Sequence, residues 1–192
     1  MRACGGLEAN LASGFPNNAH DKARPHRQVC FRRTAPGNPS LEFRYMRPFK
    51  PYTSDAEIAA IGAALINRTL PKAEWTHAAH FAAVLWLIAC RPDIDAAQAL
   101  PCIIRAYNEA TGVANTANSG YHETITQASI RAARAFYAMR RNDCLYRVCN
   151  ELLGSRLGDP GWLLEYWRRE TLFSEVARRR WVGPDIKEAV LF

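Results

Sequence analysis

Residues 75–90 run Trp-Thr-His-Ala-Ala-His-Phe-Ala-Ala-Val-Leu-Trp-Leu-Ile-Ala-Cys, and apart from Thr76, His77 and His80 almost every position is apolar. At 3.6 residues per turn those three polar residues fall within an arc of about 100°. A helix that is apolar nearly all round belongs in the middle of a core. Its polar stripe must face a partner or a cavity, because an unpaired buried polar group costs roughly 1–3 kcal/mol. The pattern predicts a central helix that stops near Cys90, before Arg91-Pro92.

Helical spacing continues on either side. Ser54 with Glu57 three residues on is a capping-box signature, and Ile58, Ile61, Leu65 and Ile66 give a stripe that reaches Leu70, where Pro71 ends it. Asp93 or Asp95 caps a third helix with Ile103, Ile104 and Tyr107 inward, and Pro101 kinks it or marks its true first turn. Thr111-Gly112 through Gly120 is turn chemistry, and a loop of that length in a compact domain is often functional. A fourth helix runs from Tyr121 to Met139 with His122, Ile125, Ser129, Ala133 and Phe136 on its inner face. A fifth, capped by Asp143, ends at Gly154, and a short sixth starts at Asp159-Pro160 and carries Trp162, Leu163 and Tyr166. Ser174 caps a last turn from Glu175 to Trp181. No segment alternates as a strand does, so the fold class is all-α: a single-domain bundle of about six helices over residues 53–186, with a C-terminal tail at 187–192.

Composition changes this picture at one end. Residues 1–45 hold Gly5-Gly6, Pro16, Pro25, Pro36-Gly37, Pro39 and scattered arginines without periodicity, as a disordered leader does. Residues 1–50 carry nine Lys+Arg against three Asp+Glu, a net +6, whereas 51–192 carry sixteen against fifteen, a net +1. The overall +7 therefore describes the leader, and the nearly neutral remainder argues against nucleic acid as a partner. An Arg-rich, acid-poor leader fits a transit peptide, and fits better a stretch upstream of a start at Met46. His20, His26 and Cys30 match no zinc module. The six cysteines show no CxxC pair and read as reduced thiols, and no apolar run approaches the ~20 residues of a membrane span, so a cytoplasmic location is expected.

Beyond the leader the histidines are His77, His80 and His122. Imidazoles at i and i+3 have neighbouring Cβ atoms, about 5–6 Å apart, so both can reach one ion. A third from a facing helix completes the ligand set of a catalytic zinc site and leaves the fourth position to water; iron suits the same donors. His122 and Glu123 fall in the first turn of their helix, where the dipole disfavours imidazolium and favours carboxylate. Glu123 then serves as a further ligand or as the base that takes a proton from bound water, while Tyr121, Asn115 and Thr76 orient a substrate. The same residues also have structural readings: hydrogen-bonded core histidines, a capping histidine, and a glutamate that steadies a helix start. Trp167-Arg168-Arg169-Glu170 and Arg178-Arg179-Arg180-Trp181 form either a solvated face paired with Glu165, Glu170 and Glu175 or an anion site in which Arg169 holds a substrate.

Leu70-Pro71, Glu74-Trp75-Thr76-His77 with His80, Arg105-Ala106-Tyr107-Asn108-Glu109, Asn115-Thr116 and Gly120-Tyr121-His122-Glu123-Thr124-Ile125-Thr126 resemble a family of small bacterial hypothetical proteins. The resemblance extends through Arg169-Glu170, Leu172-Phe173-Ser174 and Pro184-Asp185, spanning roughly residues 53–186. It implies a bacterial, cytoplasmic, stand-alone domain, and it carries no activity or cofactor with it.

The expectation from the residues is thus a helical enzyme with a divalent metal, zinc or iron, held by His77, His80 and His122. Its reaction on a small molecule is hydrolytic first and oxidative next. The runner-up is a non-catalytic helical module that binds a small apolar or acidic ligand, with the histidines as hydrogen-bonding groups. A third reading is a metal-free acid–base enzyme using His122 and Glu123. The absence of a P-loop, a GxGxxG on a strand and a GxSxG elbow argues against a nucleotide-cofactor enzyme or a serine hydrolase.

Overall fold

The computed structural model of the chain describes residues 49–188. The expected leader at 1–45, the start at Met46 and the last residues of the tail lie outside the described residues. Seven α-helices are present among them: α1 Asp55–Ile66, α2 His77–Cys90, α3 Ala96–Ala110, α4 Glu123–Ala138, α5 Leu145–Leu153, α6 Arg169–Leu172 and α7 Glu175–Arg179. Short 3-10 turns occupy Lys72–Glu74, Arg156–Gly158 and Trp162–Glu165. No strand occurs among the described residues.

The all-round apolar helix lies at the centre. α2 buries Ala79 and every residue from Phe81 to Leu87, and it packs against α1, α3, α4 and α5. Its closest neighbour is α1, where Gly62 makes the approach possible: a methyl group there would run into the indole of Trp86. Several helix starts follow the expected chemistry. The Ser54 hydroxyl accepts from the Glu57 amide, Asp95 from Ala97, and Ser174 from Ala177. α1 stops at Ile66, short of Leu70, because Arg68 turns into the left-handed region and the amides of Thr69 and Leu70 close back on the Ala64 carbonyl.

Other expectations change. α5 begins at Leu145 after Cys144, with no cap from Asp143; the Tyr146 amide donates instead to the Asp55 carboxylate at the start of α1, 2.8 Å away. The sixth element is a 3-10 turn at Trp162–Glu165, and α6 is a separate short helix. The buried stripe of α4 is Thr124, Ala128 and Ala132 with Ile130 and Ala133, rotated from the expected one. The rotation brings the Thr124 hydroxyl under the C-terminal segment, where it donates to the Arg180 carbonyl and accepts from the Val182 amide. Cys90, Cys144 and Cys149 are free thiols, as the reduced reading expects of those three.

Pro101 does not open α3 but sits inside the helix, which starts at Ala96. Proline lacks an N–H, so the carbonyl four residues back, Ala97, loses its helical donor. The Gln127 side chain on α4 supplies one at 3.0 Å. This ties α3 to the helix that carries His122 and Glu123.

Candidate functional site

The start of α4 is a closed structure. Gly120, in the left-handed region, lets the chain turn tightly over Ala114 and Asn115. Asn115 uses its whole amide on the loop. Its oxygen accepts from the Asn108 side chain and the Tyr121 amide, and its nitrogen donates to the Arg105 carbonyl and the Glu109 carboxylate. The buried Tyr121 hydroxyl donates to Glu123 at 2.8 Å, and Gln127 donates to the other carboxylate oxygen at 3.0 Å. Arg105 lies over the Tyr121 ring, 4.4 Å from its centroid.

His122 is the cap of this helix. Its Nε2 lies 3.0 Å from the Leu172 carbonyl, which can only accept, so Nε2 carries the proton. Nδ1 is then the acceptor and receives the Ile125 amide at 3.4 Å. Both ring nitrogens are thereby committed. Burial pushes the imidazole down to about 4, the Arg178 guanidinium adds to the effect, and the ring is neutral at pH 7.

The start of α2 differs by one residue in register. Thr76 is the cap and accepts from the Ala79 amide, which leaves His77 as the first residue inside the helix. The Nε2–H of His77 donates to the Leu157 carbonyl at 2.8 Å, so its Nδ1 is an unprotonated acceptor with no donor among the described residues. His80 donates from Nδ1 to the Thr76 carbonyl at 2.6 Å and stacks on Trp75, the ring centroids 3.7 Å apart. Burial lowers both imidazoles, His80 to about 4. Trp75 also leans on Tyr107, whose buried hydroxyl has no partner among the described residues.

His77 lines a cleft of about 800 Å³, within the range of small-molecule sites. One wall is the strap from Phe49 to Tyr52, clamped to α5 by Asn150, which accepts from the Tyr52 amide and donates to its carbonyl. The opposite walls are Ala60 and Ile61 of α1, Ala73 and Glu74 of the 3-10 turn, the first turn of α2, and Leu153 with Gly158 and Pro160. Most of this lining is apolar. Glu57, at the rim, is fixed by the Thr53 hydroxyl and amide, which hold its carboxyl below the usual range. Tyr52 is pushed up by burial and stays a neutral phenol.

The three histidines expected to share one ion are therefore engaged separately. Each spends a nitrogen on a backbone carbonyl, and His122 has none left to give. Among the described residues no three His, Cys, Asp or Glu side chains are grouped to hold a metal. Asn115, Tyr121 and Glu123 belong to the loop's own hydrogen bonds, and Arg169 lies over the Phe173 ring, which meets the edge of the His122 ring. Thr76 and His77 are the expected site residues that reach the cleft. Sequence reasoning missed Tyr52, Glu57, Ile61 and Pro160; a strap that folds back from outside the first helix leaves no periodic signal. Among the described residues no helix is long and apolar enough to cross a membrane. No described protein family, curated protein or solved structure matches the chain.

Proposed function

We propose that the protein is a small-molecule-binding helical module whose site is the cleft at the start of α2, with His77 as its directional group. The observation that carries this reading is the cleft itself: about 800 Å³, mainly apolar, with one imidazole whose free nitrogen is an acceptor. The ligand class that suits it is a compact apolar molecule with one hydrogen-bond donor aimed at Nδ1. The near-neutral charge of residues 51–192 supports a small molecule over nucleic acid as the partner.

A neutral solvatochromic dye tests the site, followed by displacement of the dye with a panel of phenols, anilines and indoles. Ala60 and Ile61 stand on the outer side of α1, so Ala60→Phe and Ile61→Arg fill the cleft without entering the core. Both substitutions are expected to abolish dye binding while helicity by circular dichroism is unchanged. His77→Ala is expected to weaken the donor-bearing displacers about fivefold, as the loss of one hydrogen bond does. Equal binding by wild type and Ala60→Phe overturns the assignment.

A further inference from the structure

Leu172, Trp167 and Ala177 are sealed, yet Phe173 and Val176, three residues apart at the bend between α6 and α7, are each 47% exposed. The Phe173 ring meets the edge of the His122 ring at 6.5 Å and carries the Arg169 guanidinium over its face at 5.1 Å. Arg169, Glu170 and Phe173 border a shallow depression of about 450 Å³. The apolar step is thus fixed to the start of α4 on one side and open on the other.

Charge is concentrated around it. Residues 168–180 hold five arginines and two glutamates, a net +3, of which the Asp185 carboxylate, accepting from the Arg168 amide and the Thr171 hydroxyl at the start of α6, offsets one charge. Within the cluster Glu175 pairs with Arg179, while Arg169, Arg178 and Arg180 have no carboxylate partner among the described residues. Arg178 donates to the carbonyls of Gly120 and Tyr121, so its charge is held in place without being neutralised. Arginines beside an exposed aromatic ring suit carboxylates that flank an apolar side chain.

The geometry points to the α6–α7 bend as a docking surface for an acidic peptide segment of a partner protein, one apolar side chain seated against Phe173 and Val176 and its neighbouring carboxylates on Arg169 and Arg180. This surface is separate from the cleft at α2 and does not depend on it.

The probes are fluorescein-labelled hexapeptides of Asp and Glu with a single central Trp, Phe or Leu, read by fluorescence anisotropy on the whole chain. At least one is expected to bind, with affinity falling as salt rises. Arg169→Glu and Phe173→Ser are each expected to weaken binding tenfold or more. Arg141→Glu, an exposed arginine outside the patch, should leave it unchanged. Both patch residues are exposed at or near the bend, and an unchanged melting temperature in the two variants verifies that the fold is kept. The proposal is overturned if none of the peptides binds, if a peptide with Ser in place of the apolar residue binds as tightly, or if Arg169→Glu binds like wild type. Preferential binding of a single-stranded oligonucleotide at the same residues overturns it equally, since an exposed aromatic ring among arginines can also take a stacked base with its phosphates.

Discussion

The starts of α2 and α4 are two versions of one local sequence, a polar residue and histidine leading into a helix, and they reach opposite ends. At α2 a threonine takes the capping position and the histidine sits one place inside, bonded through a single nitrogen and facing a cleft. At α4 the histidine is itself the cap, and both nitrogens are closed. A one-residue difference in register separates an imidazole that can meet a ligand from one that fastens the fold. Histidine count and helical placement do not distinguish the two; the capping atom does.

The sharpest way to break this contrast is to remove each ring. His122→Ala loses a cap and leaves the Leu172 carbonyl without its donor, an expected loss of about 3 kcal/mol in urea unfolding. His122→Asn should recover about 1 kcal/mol of that through the cap alone. Equal destabilisation by His77→Ala would erase the distinction.

Acid gives the next effect. His122 and His80 are held near 4 in the fold, below their ordinary value near 6.5, so the unfolded chain takes up protons first as pH falls. Stability is therefore complete above about pH 6.5 and is lost progressively towards pH 4, by roughly 2–3 kcal/mol for the buried His122 ring. A melting temperature that stays level from pH 7 to 4 contradicts the assignment. His122→Asn should flatten the slope more than His77→Ala does.

A smaller effect sharpens the account of α4. Gln127→Ala strands the Ala97 carbonyl that Pro101 leaves open, at an expected cost of about 1–2 kcal/mol. With Pro101→Ala present the helix supplies its own donor, and the cost of Gln127→Ala should drop by roughly 0.5–1 kcal/mol. Additive costs in that double-mutant cycle would show that Gln127 acts elsewhere.

The smallest expected changes belong to α2. His77→Ala gives up one hydrogen bond, about 1 kcal/mol, because Thr76 still caps the helix. Elemental analysis of untagged protein should find no stoichiometric metal, and a chelator should leave the melting temperature unchanged. One bound ion per chain, lost in His80→Ala, would restore the three-histidine reading at the expense of the present one.

Much of the fold was legible because it rests on local rules. The all-round apolar run from Phe81 to Leu87 announces a central helix, and Ser54, Asp95 and Ser174 announce starts that the structure keeps. The cap of α5 was not legible, because Asp55 reaches it from 91 positions away. The site was less legible still. Three histidines suggested one another as partners, whereas each finds a main-chain oxygen, for His77 one 80 positions distant and for His122 one 50 positions distant. The cleft has walls from five segments that share no periodicity.

The carbonyls of Leu157 and Leu172 have an evolutionary consequence. Every residue type offers the same oxygen, so positions 157 and 172 are free to drift among apolar residues while the imidazoles opposite them stay fixed. Descendants of this chain can then hold His77 and His122 constant with no compensating partner, a signature that pairwise covariation would pass over and that a lone substitution at either histidine would expose.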